Sequence, residues 1–532
     1  MKSSCGWRVA LVAACALLSC STSDAFLECR HPNYLAKNGK IVAVDPLNAA
    51  ETEIKIKGVV WGGMEKENMI PDGLWGTTSV NKEGVQATTV KKVLEFMSNN
   101  SFNSVRLPLN AEYVSNDPRP QLAYIHAYEN REFTSWDDAN SVRYLDLVGR
   151  VIETFQDNKI TVLLDIHLLD KYDKDAYWYT APFVNITESG SYKAVSYLAK
   201  TLCNAGHWNV IGVDLKNEMS DVQWNEKAED VNIKNDWRQA AEVLANRVVE
   251  ICPQWLVFVG GASSPTAYQR FQVADDYKEL SDHWDGGNFK NATRNPINMT
   301  VANKLVYAPH AHSHGVFPRN YLFTSKSNCS LLTDDVEFEG DQAKSECVEF
   351  VDGVKSVTKL KCSKSQFACQ SYAHLPKASL VEQYKKVMNE AVGSIAAEMK
   401  GPIVLGSFSG VYGPGQPQQS AVLDYLIDFA ASVQGGWFWA LNPDSEYYLE
   451  DSIDKKAGVF GRTHYGIMKT TSWQQAHDDL LVALAKMPSS VIPCYGGVEK
   501  KTGKSSDAVS VASQSSLVVA TLILATTALL AM

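Results

Sequence analysis

Val210-Ile211-Gly212-Val213-Asp214-Leu215-Lys216-Asn217-Glu218 runs from apolar, mostly β-branched residues straight into an amide and a carboxylate. Its first part reads as a short strand covered on both faces, because no polar residue alternates through it before Asp214. Seven runs of similar kind lie elsewhere, at Ile54–Val60, Phe102–Leu107, Ile160–Asp165, Leu256–Val259, Lys304–Tyr307, Ile403–Gly406 and Gly436–Trp439. Between them Thr88–Ser98, Val142–Asp157, Trp237–Glu250 and Leu380–Met399 carry apolar residues at helical spacing. Eightfold recurrence of strand and helix or loop predicts an α/β fold, a (β/α)8 TIM barrel, with a doubly wound open sheet as the structural rival.

The rhythm breaks twice. Residues 110–140 form a long loop after the second candidate strand. Residues 318–375 form a Cys-, Ser- and Lys-rich insertion after the sixth, too long for an unstapled loop and expected to be a disulfide-held subdomain on the rim. The barrel as a whole is assigned to 26–487, a polar stalk to 488–506.

The two ends predict export. Arg8 precedes an apolar run from Val9 to Leu18, and Ser23-Asp24-Ala25 offers a small-residue cleavage site, so 1–25 reads as a signal peptide. Leu517 to Met532 is uncharged and follows a polar spacer, Ala508–Ser516, and the small residues Ser505, Ser506 and Asp507. That order predicts a lipid-anchor signal over 507–532, removed on attachment of a GPI-type anchor, and hence the outer face of the plasma membrane or the cell wall. A short C-terminal span is the rival, but the segment covers only about 24 Å of a ~30 Å hydrocarbon core. With Cys5, Cys15 and Cys20 lost in the signal peptide, eight of the 11 cysteines remain, an even number consistent with disulfides. Cys203 and Cys252 flank one predicted βα unit, and sequons begin at Asn99, Asn185, Asn291, Asn298 and Asn328. A net charge of -10 argues against a nucleic-acid partner.

In a barrel, polar residues at the C-terminal strand ends converge on one mouth. Those residues are Arg106, Asp165 and His167, Asn217 and Glu218, His310 with His312 and His314, Ser407, and Trp439 with Asn442. Asp165 and Arg106 also suit purely structural pairing. The three histidines at alternate positions line one face of an extended segment across about 13 Å, a poor arrangement for one tetrahedral zinc. No metal and no cofactor are expected.

From Ile54 to Tyr465 the chain resembles glycoside hydrolase family 5, the cellulase family. The resemblance rests on the opening nonapeptide, Asp236-Trp237-Arg238, Gly58-Val59-Val60-Trp61, Val105-Arg106-Leu107-Pro108, Leu164-Asp165-Ile166-His167, Leu305-Val306-Tyr307-Ala308-Pro309-His310, and the closing Gly436 to Ser445. It implies that Glu218 holds the general acid/base position and Asn217 the sugar 2-hydroxyl. Arg106, His167 and His310 would shape the subsite, and the partner would be a β-linked glucan, mannan or related polysaccharide.

The resemblance also calls for Gly-Glu-Phe-Gly at the seventh strand, whose Glu is the nucleophile; here stands Gly406-Ser407-Phe408-Ser409. Ser407 is shorter by two carbon–carbon bonds, so its oxygen falls back by roughly 2–3 Å. It also brings no negative charge to an oxocarbenium-like transition state. Three neighbours depart as well: the expected tyrosine is His312, the expected tryptophan Leu441, and the expected glutamate Gly260. The expectation is a cell-surface protein that recognises a β-linked polysaccharide with little or no retaining hydrolysis. The alternatives are an active endo-β-glucanase or related hydrolase using another carboxylate, such as Asp444 or Glu446, and a structural or adhesion protein on an inactive barrel. Acyl transfer by Ser407 with His312 as base is weaker, since no elbow motif surrounds Ser407.

Overall fold

The computed structural model describes residues 27–80, 84–171, 177–180, 182–203, 205–219, 222–224, 234–263, 285–313, 375–399, 401–410, 412–413, 417–443, 466–469 and 472–499, and describes short strands between 328 and 371, 445–449 and 459–463 by backbone alone. The signal peptide, the anchor signal, His314, Asp444 and the side chain of Glu446 lie outside the described residues.

Nine parallel strands make the central sheet: β1 (Ile56–Val60), β2 (Ser104–Asn110), β3 (Thr161–Leu168), β4 (Val210–Asp214), β5 (Leu256–Val259), β6 (Leu305–Tyr307), β7 (His310–His312), β8 (Leu405–Ser409) and β9 (Gly435–Phe438). Their order is β6-β5-β4-β3-β2-β1-β9-β8-β7. The two ends of that order are consecutive in the chain, because β6 and β7 are halves of one run interrupted at Ala308-Pro309. Pro309 has no N–H to give a ladder. Across the interruption Tyr307 N–H donates to Pro402 O at 3.1 Å and Val404 N–H to Tyr307 O at 3.0 Å. The ring therefore closes, and the fold is a (β/α)8 barrel.

Burial decides the strands. Every residue of β1, β2, β4, β5, β8 and β9 is buried, as parallel strands between a packed interior and a helical jacket must be. The jacket is α1 (Val90–Asn99), α2 (Tyr144–Asp157), α3 (Gly190–Leu202), α4 (Trp237–Ile251), α5 (Lys377–Ser394) and α6 (Pro417–Ser432). Side-chain caps start three of them: Thr89 accepts from Lys92 N–H, Ser189 from Tyr192 N–H, and Asp236 from Gln239 N–H. The α2 face Leu147, Val148, Val151, Ile152 and Phe155 is buried. Helices α3 and α6 are additions to the four expected from periodicity, and α5 gives way at Ile395–Met399 to a π turn.

Two features tie the lower end. A three-stranded antiparallel sheet (Asn33–Lys37, Lys40–Val44, Glu51–Glu53) lies across it. Tyr34 N–H donates to Gln254 O, Ala36 N–H to Asn303 O, and the Tyr34 hydroxyl to Trp208 O. Cys203 and Cys252, just past the C-termini of α3 and α4, form a disulfide with a Cα–Cα distance of 5.8 Å. Closing their 49-residue separation contributes about 4 kcal/mol in the chain-entropy picture. Cys29 and Cys494 are each disulfide-bonded. The region expected as a rim insertion contains short antiparallel strands, Asn328–Leu331 with Phe367–Ser371 and Val336–Glu339 with Lys359–Cys362. Its cysteine side chains lie outside the described residues. Among the described residues no helix is long and apolar enough to cross a membrane.

Inside the barrel a tryptophan fills the space beside β1. The Trp437 indole N–H donates to Ser104 Oγ at 2.9 Å. A Cβ on Gly58 would stand 2.2 Å from Trp437 Cδ1. Gly58→Ala is therefore expected to destabilise by about 2–3 kcal/mol through overpacking, read as a lower denaturant midpoint. An unchanged midpoint would mean that the indole has room to move.

Candidate active site

The strand ends bring a polar cluster to the mouth. Arg106 on β2 is fully buried, and its Nη2 lies 3.0 Å from Asp165 Oδ1 on β3 and donates to Asp214 Oδ2 on β4 at 3.0 Å. The same nitrogen donates to Asn217 Oδ1 at 3.0 Å, and Asn217 N–H donates to Ile166 O, so the segment after β4 is held against β3. Burial opposes the Arg106 charge, but the two carboxylates outweigh it and raise its pKa. Asp165 is also driven up by burial, yet Arg106 and His167 bring it below its ordinary value. Burial raises Asp214.

Asp165 Oδ2 accepts from His167 Nδ1 at 2.7 Å. Burial lowers the His167 pKa, and Asp165 more than compensates, leaving it raised. The His167 ring stacks on Trp439, with centroids 5.5 Å apart and planes 11° from parallel. Both rings are half-buried, as is Glu218. These three side chains are the accessible part of the cluster.

Glu218 directly follows Asn217 beyond β4, and one of its oxygens meets two histidines. His310 Nδ1 lies 2.7 Å from Oε1 and His312 Nε2 lies 2.9 Å from the same atom. Burial pushes the carboxyl up, but the hydrogen bonds from His310 and His312 hold it well below the usual carboxylate range. Glu218 is thus an ionised acceptor. Burial lowers the His310 pKa. His312 Nδ1 in turn lies 2.8 Å from Ser409 Oγ.

Strands β7 and β8 run side by side with His310 opposite Ser407 and His312 opposite Ser409. Ser407 is buried, and its hydroxyl makes no hydrogen bond to the described residues. His312 is tied to Ser409 and Glu218, not to Ser407, so no base–nucleophile pair for acyl transfer is formed there. Gly260 O, at the end of β5, accepts from the Trp237 indole N–H at 2.8 Å.

The chain matches the family described as cellulase (glycosyl hydrolase family 5) over residues 53–445. It belongs to glycosyl hydrolase family 5. This family 5 chain is 24% identical over 400 residues to the major extracellular endoglucanase of Xanthomonas campestris pv. campestris, covering 74% of the chain and 62% of that relative. It is 24% identical over 265 residues to an endoglucanase of Paenibacillus polymyxa, covering 50% of the chain and 57% of the relative. The chain thus spans under two thirds of the length of these relatives. Among solved structures, a hyperthermophilic endocellulase from Pyrococcus horikoshii shares its fold at a TM-score of 0.60 and 22% identity, over 85% of this chain and 98% of that one.

Arg106 and Asn442 are both enclosed and held by partners of their own. Arg106 is wholly enclosed and its link towards the mouth is the hydrogen bond to Asn217. Asn442 is 1% exposed, its Oδ1 accepts from Gly62 N–H at 3.0 Å and its Nδ2 donates to Asp72 Oδ2 at 2.9 Å, making it a brace for the loop after β1. Glu65 escaped sequence reasoning. It lies in that loop, buried, with Oε2 accepting from Gly63 N–H at 2.7 Å, and burial raises its pKa. Nothing in the run Gly62-Gly63-Met64-Glu65-Lys66-Glu67 separates this carboxyl from an ordinary surface charge.

Proposed function

We propose that this family 5 chain recognises a β-linked glucan at the barrel mouth with little or no retaining hydrolysis, because Ser407 replaces the nucleophile. The observation that carries the reading is Ser407 itself. A retaining glycosidase needs two carboxyls about 5–5.5 Å apart, and the described end of β8 offers only serines, Ser407 and Ser409, beside His310 and His312. A hydroxyl without a base neither attacks the anomeric carbon well nor stabilises positive charge on it. The retained cleft groups support binding: Trp439 supplies an aromatic face, and His167 and Glu218 supply polar groups beside it. That the curated relatives are named endoglucanases favours a glucan over a mannan.

Isothermal titration with cello-, laminari- and manno-oligosaccharides tests recognition, and no binding to any of them defeats it. Trp439→Ala is expected to weaken cello-oligosaccharide binding about tenfold or more, a loss of about 1.4 kcal/mol. Equal affinity in the variant would place the sugar elsewhere.

A second reading, an active endoglucanase, draws support from Glu218 and from the relatives' names. Turnover of activated aryl glycosides that disappears in Glu218→Gln would establish it. The proposed location is the outer cell surface through a lipid anchor; release of the protein from intact cells by a phosphatidylinositol-specific phospholipase checks this, and retention after treatment contradicts it.

A further inference from the structure

We propose that Glu218, His310 and His312 form a binding site for a zinc ion. The three residues are the one described group of at least three His, Cys, Asp or Glu side chains whose ligand atoms converge, all lying within 4.8 Å of one another. The sequence argument against a metal considered His310, His312 and His314 as a row along one strand. The barrel changes that geometry, because Glu218 arrives from β4 and meets the first two histidines from the side.

A zinc ion about 2.1 Å from each ligand, with ligands 90–109° apart, separates cis ligand atoms by about 3.0–3.4 Å. Glu218 Oε1 stands 2.7 Å from His310 Nδ1 and 2.9 Å from His312 Nε2, and all three ligand atoms lie within 4.8 Å of one another, so an ion would part the carboxylate from each ring slightly and draw the two imidazoles, whose centroids are 6.3 Å apart, towards each other. Two imidazoles and a carboxylate are a ligand set that zinc accepts, with further positions open to water or a sugar hydroxyl.

The surroundings fit the same role. A zinc-bound His312 carries its remaining proton on Nδ1, and Ser409 Oγ lies 2.8 Å away to accept it, the outer hydrogen bond that orients a ligating histidine. Backbone closes on the site from the far side: a Cβ on Gly286 would stand 3.3 Å from His310 Cγ and 3.6 Å from Glu218 Cγ, which restricts both side chains. The nearby Arg106 cation is already matched by Asp165 and Asp214. Glu218 therefore adds net negative charge where the cation would sit.

The inference rests on these ligand positions and is independent of whether the cleft holds glucan. It has a chemical consequence: Glu218 bound to zinc has no proton to donate, so occupancy opposes acid catalysis in the same pocket.

The test uses the full secreted chain, stripped of metal by a chelator and titrated with zinc chloride at neutral pH. One zinc per chain, with affinity at least about 100-fold weaker in both His312→Phe and Glu218→Gln and unchanged in His126→Ala, whose ring lies against Gly76 and outside the cluster, is the expected result. Cobalt(II) in place of zinc should show visible bands that are lost in the same two variants, and circular dichroism reports whether they remain folded. If they do not, the cobalt spectrum of the parent chain decides by the presence or absence of inner-sphere nitrogen ligands. No zinc uptake at 100-fold molar excess, or uptake unchanged in the folded His312→Phe protein, would overturn the proposal.

Discussion

Ser407→Glu combined with His312→Tyr is expected to raise turnover of activated aryl β-glycosides by about 10³-fold or more, equivalent to about 4 kcal/mol of barrier. The first substitution returns a carboxylate to the end of β8, next to His310. It also places a second negative charge near Glu218, and a like charge raises a carboxyl pKa. The second substitution removes one of the two histidines that hold the Glu218 carboxylate ionised. A general acid must carry its proton into the reaction, so both changes act in the same direction. Ser407→Glu alone should gain less and lose its activity at lower pH, because His310 and His312 still favour the ionised form of Glu218. In the double variant the alkaline limb of kcat/KM should move up. A folded double variant with no turnover would mean that more than a missing nucleophile and an ill-tuned acid separates this pocket from a hydrolase.

The second large effect concerns stability. Arg106→Met should lower the unfolding free energy at neutral pH by about 3–5 kcal/mol, the usual result of removing one partner from a buried ionic group. Asp165 and Asp214 are both fully buried, and Arg106 is the cation they share. Without it burial dominates both: Asp214, already raised, climbs further, and Asp165 rises with His167 left to oppose it. A carboxyl with a raised folded pKa stabilises the protein below its unfolded pKa and loses that contribution as pH climbs towards the folded pKa. The deficit of the variant should therefore be largest at neutral pH and shrink as pH falls towards about 4. Denaturant unfolding across this range checks it. A deficit that is independent of pH would assign the role of Arg106 to packing.

The barrel was legible because its strands are buried on both faces. Val210–Asp214 and Leu256–Val259 fall where their apolar runs place them. Boundaries drifted where the cause lay outside the run. Strand β3 continues to Leu168, since His167 reaches the mouth while still in the ladder, and β8 continues to Ser409, whose polar side chain reads locally as a loop. Helix α3 opens with Gly190-Ser191-Tyr192, weak helical residues that the Ser189 cap and packing overcome.

The site divides in the same way. Placement at the strand ends follows from the period of the fold, so Glu218, His310 and Ser407 could be named as neighbours. What a side chain does there depends on partners far away in the chain. Arg106 needs Asp214 and Asn217, Asn442 needs Gly62 and Asp72, and the meeting of Glu218 with His312 spans 94 positions. No local pattern encodes those meetings.

The sheet beneath the barrel has one more bearing. Similarity to family 5 begins at residue 53, yet Tyr34 and Ala36 donate to Gln254 and Asn303 on the underside of the ring. Likewise Ser490, beyond the matched end, exchanges hydrogen bonds with Lys55 and supplies a carbonyl to Asn103. A fragment trimmed to 53–445 would lose both supports at once, so the stretch that carries the family match is shorter than the stretch that holds the lower end of this barrel together.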